Sequence, residues 1–489
     1  MNEVKKFMSF KKFINNPLPL NFFKEISNIP RNSGDEKAIS DYLVKFAQSY
    51  GLDYKRDEFL NVLIMKQGQN GGEKSKPVVL QAHMDMVYVK RPDSQHKYES
   101  SLDISTNDGV IRAIGTSLGA DNGIGMSYML AVLASREIKH PPIEALFTSG
   151  EENGLMGAAQ LKDDWLTGTT LINLDGEDEG ILVAGSAGAI NHSLEITTTK
   201  ECENPDLASY LIYVDGLKGG HSGLEIDSGR ANAIKEIGRV LYDISKNIPL
   251  FLESINGGER ANVIPNYCEA KIFIKKENKE YFLEQIDEWN RVLKNEFLIT
   301  DSNISLHVCS YDYTKNIPIC QADTKKIIYI LMLHPDGVQV MNKEIKDHVQ
   351  SSINLATIKT FNDHISILSS ARSSIKSQKN YMSYQVKSLS ELINANYTTN
   401  SDYPAWQYEN ESPIRKLCFE EYTRLFGLTP KIDIIHGGLE GGYFKEKYPR
   451  VDIVSLGPDI HDVHTVSEWT DIKSVSRVWD YLQNILAKI

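Results

Sequence analysis

A chain of 489 residues with 41% hydrophobic content is long enough for two domains and a sizeable core. Its 53 Lys and Arg stand against 65 Asp and Glu, a formal net charge of −12. That balance argues against sequence-independent binding to nucleic acid or to an anionic membrane surface, and leaves small molecules or proteins as partners.

The first stretch, MNEVKKFMSFKKFINNPLPL, is basic and broken by polar residues, so no secretory signal is expected. No run of about 18 apolar residues marks a membrane-spanning helix. Five cysteines, Cys202, Cys268, Cys309, Cys320 and Cys418, are odd in number and lack C-x-x-C pairing. They are expected to be small apolar residues in a reducing cytoplasm.

Through the first 185 residues helical and strand patterns alternate. EKAISDYLVKFAQSYG and GIGMSYMLAVLASREI have helical periodicity, and VVLQAHMDMV, IEALFT and TTLINLD open as short buried strands. This order predicts an α/β domain with a largely parallel central sheet and flanking helices, whose ligands bind beyond the carboxyl ends of the strands. From about residue 188 the texture becomes α+β, with strands in NHSLEITTT, SYLIYVDG and ANVIPNYCEAKIFIKK and helices in GRANAIKEIGRVLYDI and KEYFLEQIDEWNRVLKNEF. A second set follows in TKKIIYILML, SINLATIKTF, HISILSSARSS and QKNYMSYQVKSLSELINA, so two related halves are expected. From about residue 398 the α/β style returns, in ESPIRKLCFEEYTRLF, KIDIIHGG, VDIVSLG and TDIKSVSRVWDYLQNILAKI. The expected organisation is a catalytic domain of residues 1–187 and 398–489, with an α+β lid domain inserted at 188–397.

Acids and imidazoles collect where the strands end: His83 and Asp85 in LQAHMDMV, Asp121 in TSLGADNGIG, Glu151 and Glu152 in FTSGEENG, and Asp175 in INLDGED. A Glu pair can simply complement a helix N-terminus. Several such clusters at successive loops need positive charge between them. One His and several carboxylates without a thiolate suit zinc, manganese or cobalt better than a Cys-rich structural zinc site. GADNGIG has neither phosphate-cradling glycine spacing and reads as a sharp turn into the following helix.

HMDMV, TSLGADNGIGM, FTSGEENGLMGA, INLDGED, GLKGGHSGLEI, IIHGGLEGGYF and SLGPDIHDVHTVSE together resemble the co-catalytic-zinc metallopeptidases that include aminoacylases and carboxypeptidases. Within them the chain looks like the aminoacyl-histidine (Xaa-His, carnosine-splitting) dipeptidase branch, in order and over nearly its whole length. The resemblance implies a dipeptidase with two divalent ions per chain, zinc first and cobalt or manganese as alternatives. His83, Asp121 and Asp175 would hold one ion, and Asp121, Glu152 and His464 the other. Spacing within GPDIHDVHTVSE favours His464 over His461. Glu151 would be the general base, Asp85 the partner of the second His83 nitrogen, and His221 the donor to the oxyanion, expected to act in its own chain.

Asn262, Arg372, His436 and Glu440 match substrate-side positions, Arg372 suiting the terminal carboxylate and Glu440 the free amino end. A capping or structural role stays open for Glu440. The pattern departs at Ala261, where an arginine commonly precedes the Asn and Arg260 stands one place early. A cytoplasmic homodimer acting on small peptides is implied. A related tripeptidase or amino-acid deacylase with the same metal site is the alternative, and a non-catalytic binding or scaffold protein on the same fold the remote one.

Overall fold

The computed structural model describes residues 18–201, 206–310 and 317–489. The basic N-terminal stretch through Pro17, and Cys202, lie outside the described residues. The chain forms two compact units. One runs to Ser186 and resumes at Trp406–Ile435 and Leu439–Ile489; the other comprises Ala187–Ala405 with His436–Gly438.

The first unit is built on an eight-stranded sheet in the order Asp53–Arg56, Val62–Lys66, Ile143–Thr148, Val78–His83, Thr170–Asn173, Asp452–Ser455, Ile181–Ser186 and Lys431–Ile435. Its centre is parallel: Val78–His83 runs alongside Ile143–Thr148 on one side and Thr170–Asn173 on the other, and the latter alongside Asp452–Ser455. Antiparallel pairs at Val62–Lys66 and between Asp452–Ser455 and Ile181–Ser186 make the whole sheet mixed. Val78–His83, between two parallel neighbours, and Ile143–Thr148, between Val78–His83 and the antiparallel Val62–Lys66, are both buried at every position. Register then aligns the exits, since His83 lies opposite Thr148 and Gln81 opposite Asn173. The loops carrying Asp85, Glu151, Glu152 and Asp175 therefore leave one edge of the sheet.

The helix Ala120–Ala134 is buried from Asn122 to Leu133 and packs on the strand Val78–His83. Asp121 and Asn122 have non-helical dihedrals, so regular helix begins at Gly123, where the glycine turn was expected to hand over. The helix Leu18–Ile26, which has no strong sequence signature, covers the other side with Phe22, Phe23 and Ile26. Cys418 is a buried small residue of this core, and Cys268 of the other. Cys309 is exposed and Cys320 caps the helix Gln321–Leu333, so neither is the apolar filler that composition suggested.

The second unit is an antiparallel nine-stranded sheet. Ser305–Ser310, Leu207–Asp215, Cys268–Lys275 and Leu250–Gly257 form one side, and Val349–Thr360, His364–Ser373, Gly188–Thr197 and Asn396–Tyr403 the other, with Gly337–Met341 beside Val349–Thr360. The two sides join where Gly257 pairs Ile358. Asn396–Tyr403 runs across residue 398, where sequence alone placed the return to the first domain, because it pairs along Gly188–Thr197. No helix among the described residues is long and apolar enough to cross a membrane.

Candidate metal centre

Two donor sets share one carboxylate. His83, Asp121 and Asp175 bring ligand atoms within 4.8 Å of one another, and so do Asp121, Glu152 and His464. Asp121 divides its oxygens between them: Oδ1 lies 3.0 Å from His83 Nε2 and Oδ2 3.1 Å from His464 Nε2. Asp175 Oδ1 is 3.3 Å from His83 Nε2 and accepts the Asn122 amide at 2.5 Å. Glu152 Oε1 approaches His464 Nε2 to 2.6 Å without hydrogen-bond geometry and has no other partner. Ligand atoms this close together, on Asp121, Glu152 and His464, suit a shared cation. His461 lies apart from this set, its ring 4.3 Å from that of Trp469.

Glu151 also falls in a group with His83 and Glu152. Asp121, Asp175, Glu152 and the two imidazoles complete both sets without it. Burial pushes its carboxyl well above the ordinary range, with Asp175, Glu152 and Glu440 adding to the shift and His83 opposing it. For Asp121 burial is outweighed by hydrogen bonds from His464 and His83, which hold it below the usual carboxylate range. His464 is pushed up to about 11, first by Asp121 and then by Glu152. So much buried negative charge around two imidazoles is the electrostatic environment of a cation site.

Asp85 is wholly buried and holds two segments together. It lies 3.4 Å from His83 Nδ1, and it accepts the backbone N–H groups of Glu151 at 3.1 Å and Glu152 at 3.2 Å and the Ser33 hydroxyl at 2.7 Å. Glu440 is buried with Oε2 accepting from the Gln81 amide at 2.6 Å and the Thr148 hydroxyl at 2.8 Å, whereas Oε1 has no hydrogen-bond partner. Burial pushes this carboxyl up to about 8.

His221, Asn262, Arg372 and His436 belong to the second unit. His221 pairs with Val263 in a two-stranded ladder, and Ser222 N–H donates to the Asn262 carbonyl. The His221 Nδ1 accepts from the backbone of Gly223 and Leu224, both at 3.2 Å. Burial, then Arg372, lowers its pKa, and with Nδ1 accepting from the backbone the neutral ring would carry its proton on Nε2. Arg372 stands opposite Ser352 in the sheet, and Ser352 Oγ is 2.7 Å from His436 Nε2. The Arg372 guanidinium is buried, its Nε has no hydrogen-bond partner, and its Nη1 donates to the Tyr403 hydroxyl at 3.3 Å. Burial, then Arg372, holds His436 down at about 3.

Two groups that the sequence reading left without a role stand next to the centre. Arg31 and Glu468 are buried against the turn that presents Asp121. Nothing in their local sequence signals this.

Against this geometry, the profile of the family described as "Peptidase family M20/M25/M40" matches residues 79–488. The chain belongs to this peptidase family. Among relatives, the cytosol non-specific dipeptidase of Escherichia coli (strain K12) is 37% identical over 477 residues, covering 97% of this chain and 98% of the relative. The crystal structure of aminoacylhistidine dipeptidase from Vibrio alginolyticus superposes with a TM-score of 0.91 at 36% identity, over 97% of each chain. A Staphylococcus aureus tripeptidase shares the M20 fold at a TM-score of 0.55 and 18% identity, over 96% of this chain and 97% of its own. Hydrolase chemistry and the inserted lid architecture are thus properties of the M20 family to which the chain belongs.

Proposed function

We propose that this chain is a metal-dependent dipeptidase acting on small peptides, Xaa-His dipeptides among them, with two divalent ions at His83, Asp121, Asp175, Glu152 and His464. The observation that carries the reading is the division of the Asp121 oxygens between two imidazoles, which supports a carboxylate shared by two ions. The donor set, carboxylates and imidazoles without thiolate, suits zinc, with cobalt or manganese able to replace it. Both dipeptidase relatives, matched over nearly their whole length, support the activity.

Bound ions would polarise the peptide carbonyl and lower the pKa of the attacking water. Glu151, required by neither donor set, accepts the proton from that water and delivers it to the departing amine. Asp85 orients His83 through Nδ1 and fixes the backbone from which Glu151 and Glu152 project. His221 offers an Nε2–H donor to the developing oxyanion. Arg372, buried with its Nε lacking a hydrogen-bond partner, is suited to a planar grip on the terminal carboxylate, with Asn262 and His436 as further substrate contacts. The unpartnered Oε1 of Glu440 is offered to the free amino group. A homodimer, the commonest closed assembly, and a cytoplasmic location, supported by the cytosolic relative, complete the proposal.

The test is hydrolysis of dipeptides, tripeptides and N-acyl amino acids with and without chelator. Dipeptides are expected to be cleaved fastest, chelation to abolish turnover and zinc to restore it. Turnover that survives exhaustive chelation overturns the metal reading, and preference for tripeptides or N-acyl amino acids replaces the dipeptidase assignment.

A further inference from the structure

We propose that Glu468 and Arg31 are positioning residues for the metal centre, gripping from two sides the turn that carries Asp121; the inference rests on the metal-dependent reading above. Glu468 is 3% exposed, and its two oxygens take four consecutive backbone N–H groups. Oε2 accepts from Leu118 at 2.7 Å and Gly119 at 2.8 Å, and Oε1 from Ala120 at 2.8 Å and Asp121 at 3.4 Å. Arg31 is 1% exposed and donates to the carbonyl of Gly119, to that of Asp85 at 3.0 Å and to that of Met84 at 3.3 Å.

The turn is shaped for this grip. Gly119 has φ +66°, and a Cβ there would meet Arg31 Nη2 at 2.6 Å; one at Gly123 would meet it at 2.7 Å. Glycine is therefore required both by the backbone and by the guanidinium. The two side chains join ligand segments distant in sequence. Arg31 ties the end of the His83 strand to the Asp121 turn, and Glu468, four residues beyond His464, ties that turn to the segment bearing the last histidine. Because the Asp121 oxygens serve different imidazoles, a small displacement of the turn disturbs both donor sets together. Charge-assisted bonds in a buried site suit such a rigid link.

A mainly structural carboxylate provides the control. Glu144 is also buried and accepts the backbone N–H groups of Thr167 and Gly168, away from the ligand turns. Glu468→Gln, Arg31→Met and Glu144→Gln are compared by thermal unfolding, by metal affinity in competition with a chromogenic chelator, and by the visible spectrum of the cobalt-loaded protein. Glu468→Gln and Arg31→Met are expected to weaken metal affinity at least about tenfold and to change the cobalt spectrum, the scale of outer-shell effects. Glu144→Gln is expected to lower the unfolding temperature and leave both metal readouts at the wild-type level. Should Arg31→Met not fold, Arg31→Lys, which keeps the charge and loses the fork, is expected to show the same metal defect. Wild-type affinity and spectrum in Glu468→Gln overturn the inference, as does an equal metal defect in Glu144→Gln. A wild-type chain that binds no metal overturns the underlying reading instead, and this inference with it.

Discussion

The carboxylate of Asp85 accepts the backbone N–H of Glu151 at 3.1 Å across 66 positions of sequence. Since it also faces His83 Nδ1 and accepts from Glu152, one side chain sets the spacing of His83 and of the paired glutamates. Replacing it by Asn puts an NH₂ donor against N–H donors. Asp85→Asn is expected to weaken metal binding about 10–100-fold, measured by chelator competition. Unchanged affinity would show that the backbone alone holds the turn.

Glu151 and Glu152 are neighbours with different surroundings, and their variants should differ in kind. Glu151→Gln is expected to retain both ions and lose at least about a hundredfold in kcat, the scale of a general base. Glu152→Ala should instead lower metal occupancy by elemental analysis. Near-normal turnover in Glu151→Gln removes the base assignment.

His464 contacts Asp121 and Glu152, whereas the His461 ring lies tilted against that of Trp469. His464→Ala is expected to lose one ion of the pair, and His461→Ala to keep both. Metal counting on the two purified variants decides between them, and an emptied site in His461→Ala alone would reverse the assignment.

Arg372 has a buried guanidinium whose Nε lacks a partner. Arg372→Met is expected to raise KM for dipeptides about 10–100-fold with a smaller change in kcat, the range for a lost charge-assisted bond. Dipeptide amides, which lack the carboxylate, should be cleaved equally by variant and wild type. A variant that still prefers the free acid would place carboxylate recognition elsewhere.

His192 and His334 report on the stability of the second unit rather than on catalysis. Burial holds them at about 4 and about 3, below their ordinary value of 6.5. In the unfolded chain both take up protons as pH falls below about 6.5, while the folded forms stay neutral until much lower pH. The unfolded state therefore binds more protons in this window, and stability falls with pH by up to about 1.4 kcal/mol per pH unit for each histidine. Thermal unfolding between pH 7 and 5 should show the decline, and His334→Gln should flatten it. An equal slope in the variant would assign the effect to other groups.

The parallel centre of the first sheet was legible because VVLQAH, IEALFT and TLIN are short, mostly apolar and followed by turn or polar residues. Their ends therefore located His83, Glu151, Glu152 and Asp175 before any contact was known. The strand Asn396–Tyr403 was not legible. It is an edge strand whose side chains are mostly exposed, so NYTTNSDY carries no apolar alternation, and its pairing along Gly188–Thr197 keeps the chain in the second unit beyond residue 398.

Sequence by itself determined the donor chemistry, the carboxylates and imidazoles at strand ends, since residue type and local hydrophobic period are properties of contiguous chain. Tertiary structure alone decided which oxygen of Asp121 faces which imidazole, which of His461 and His464 meets Glu152, and that Arg31 and Glu468 close on the Asp121 turn. Those contacts join backbone and side chains up to about 350 residues apart. They follow from sheet register and packing, which no short stretch of sequence encodes.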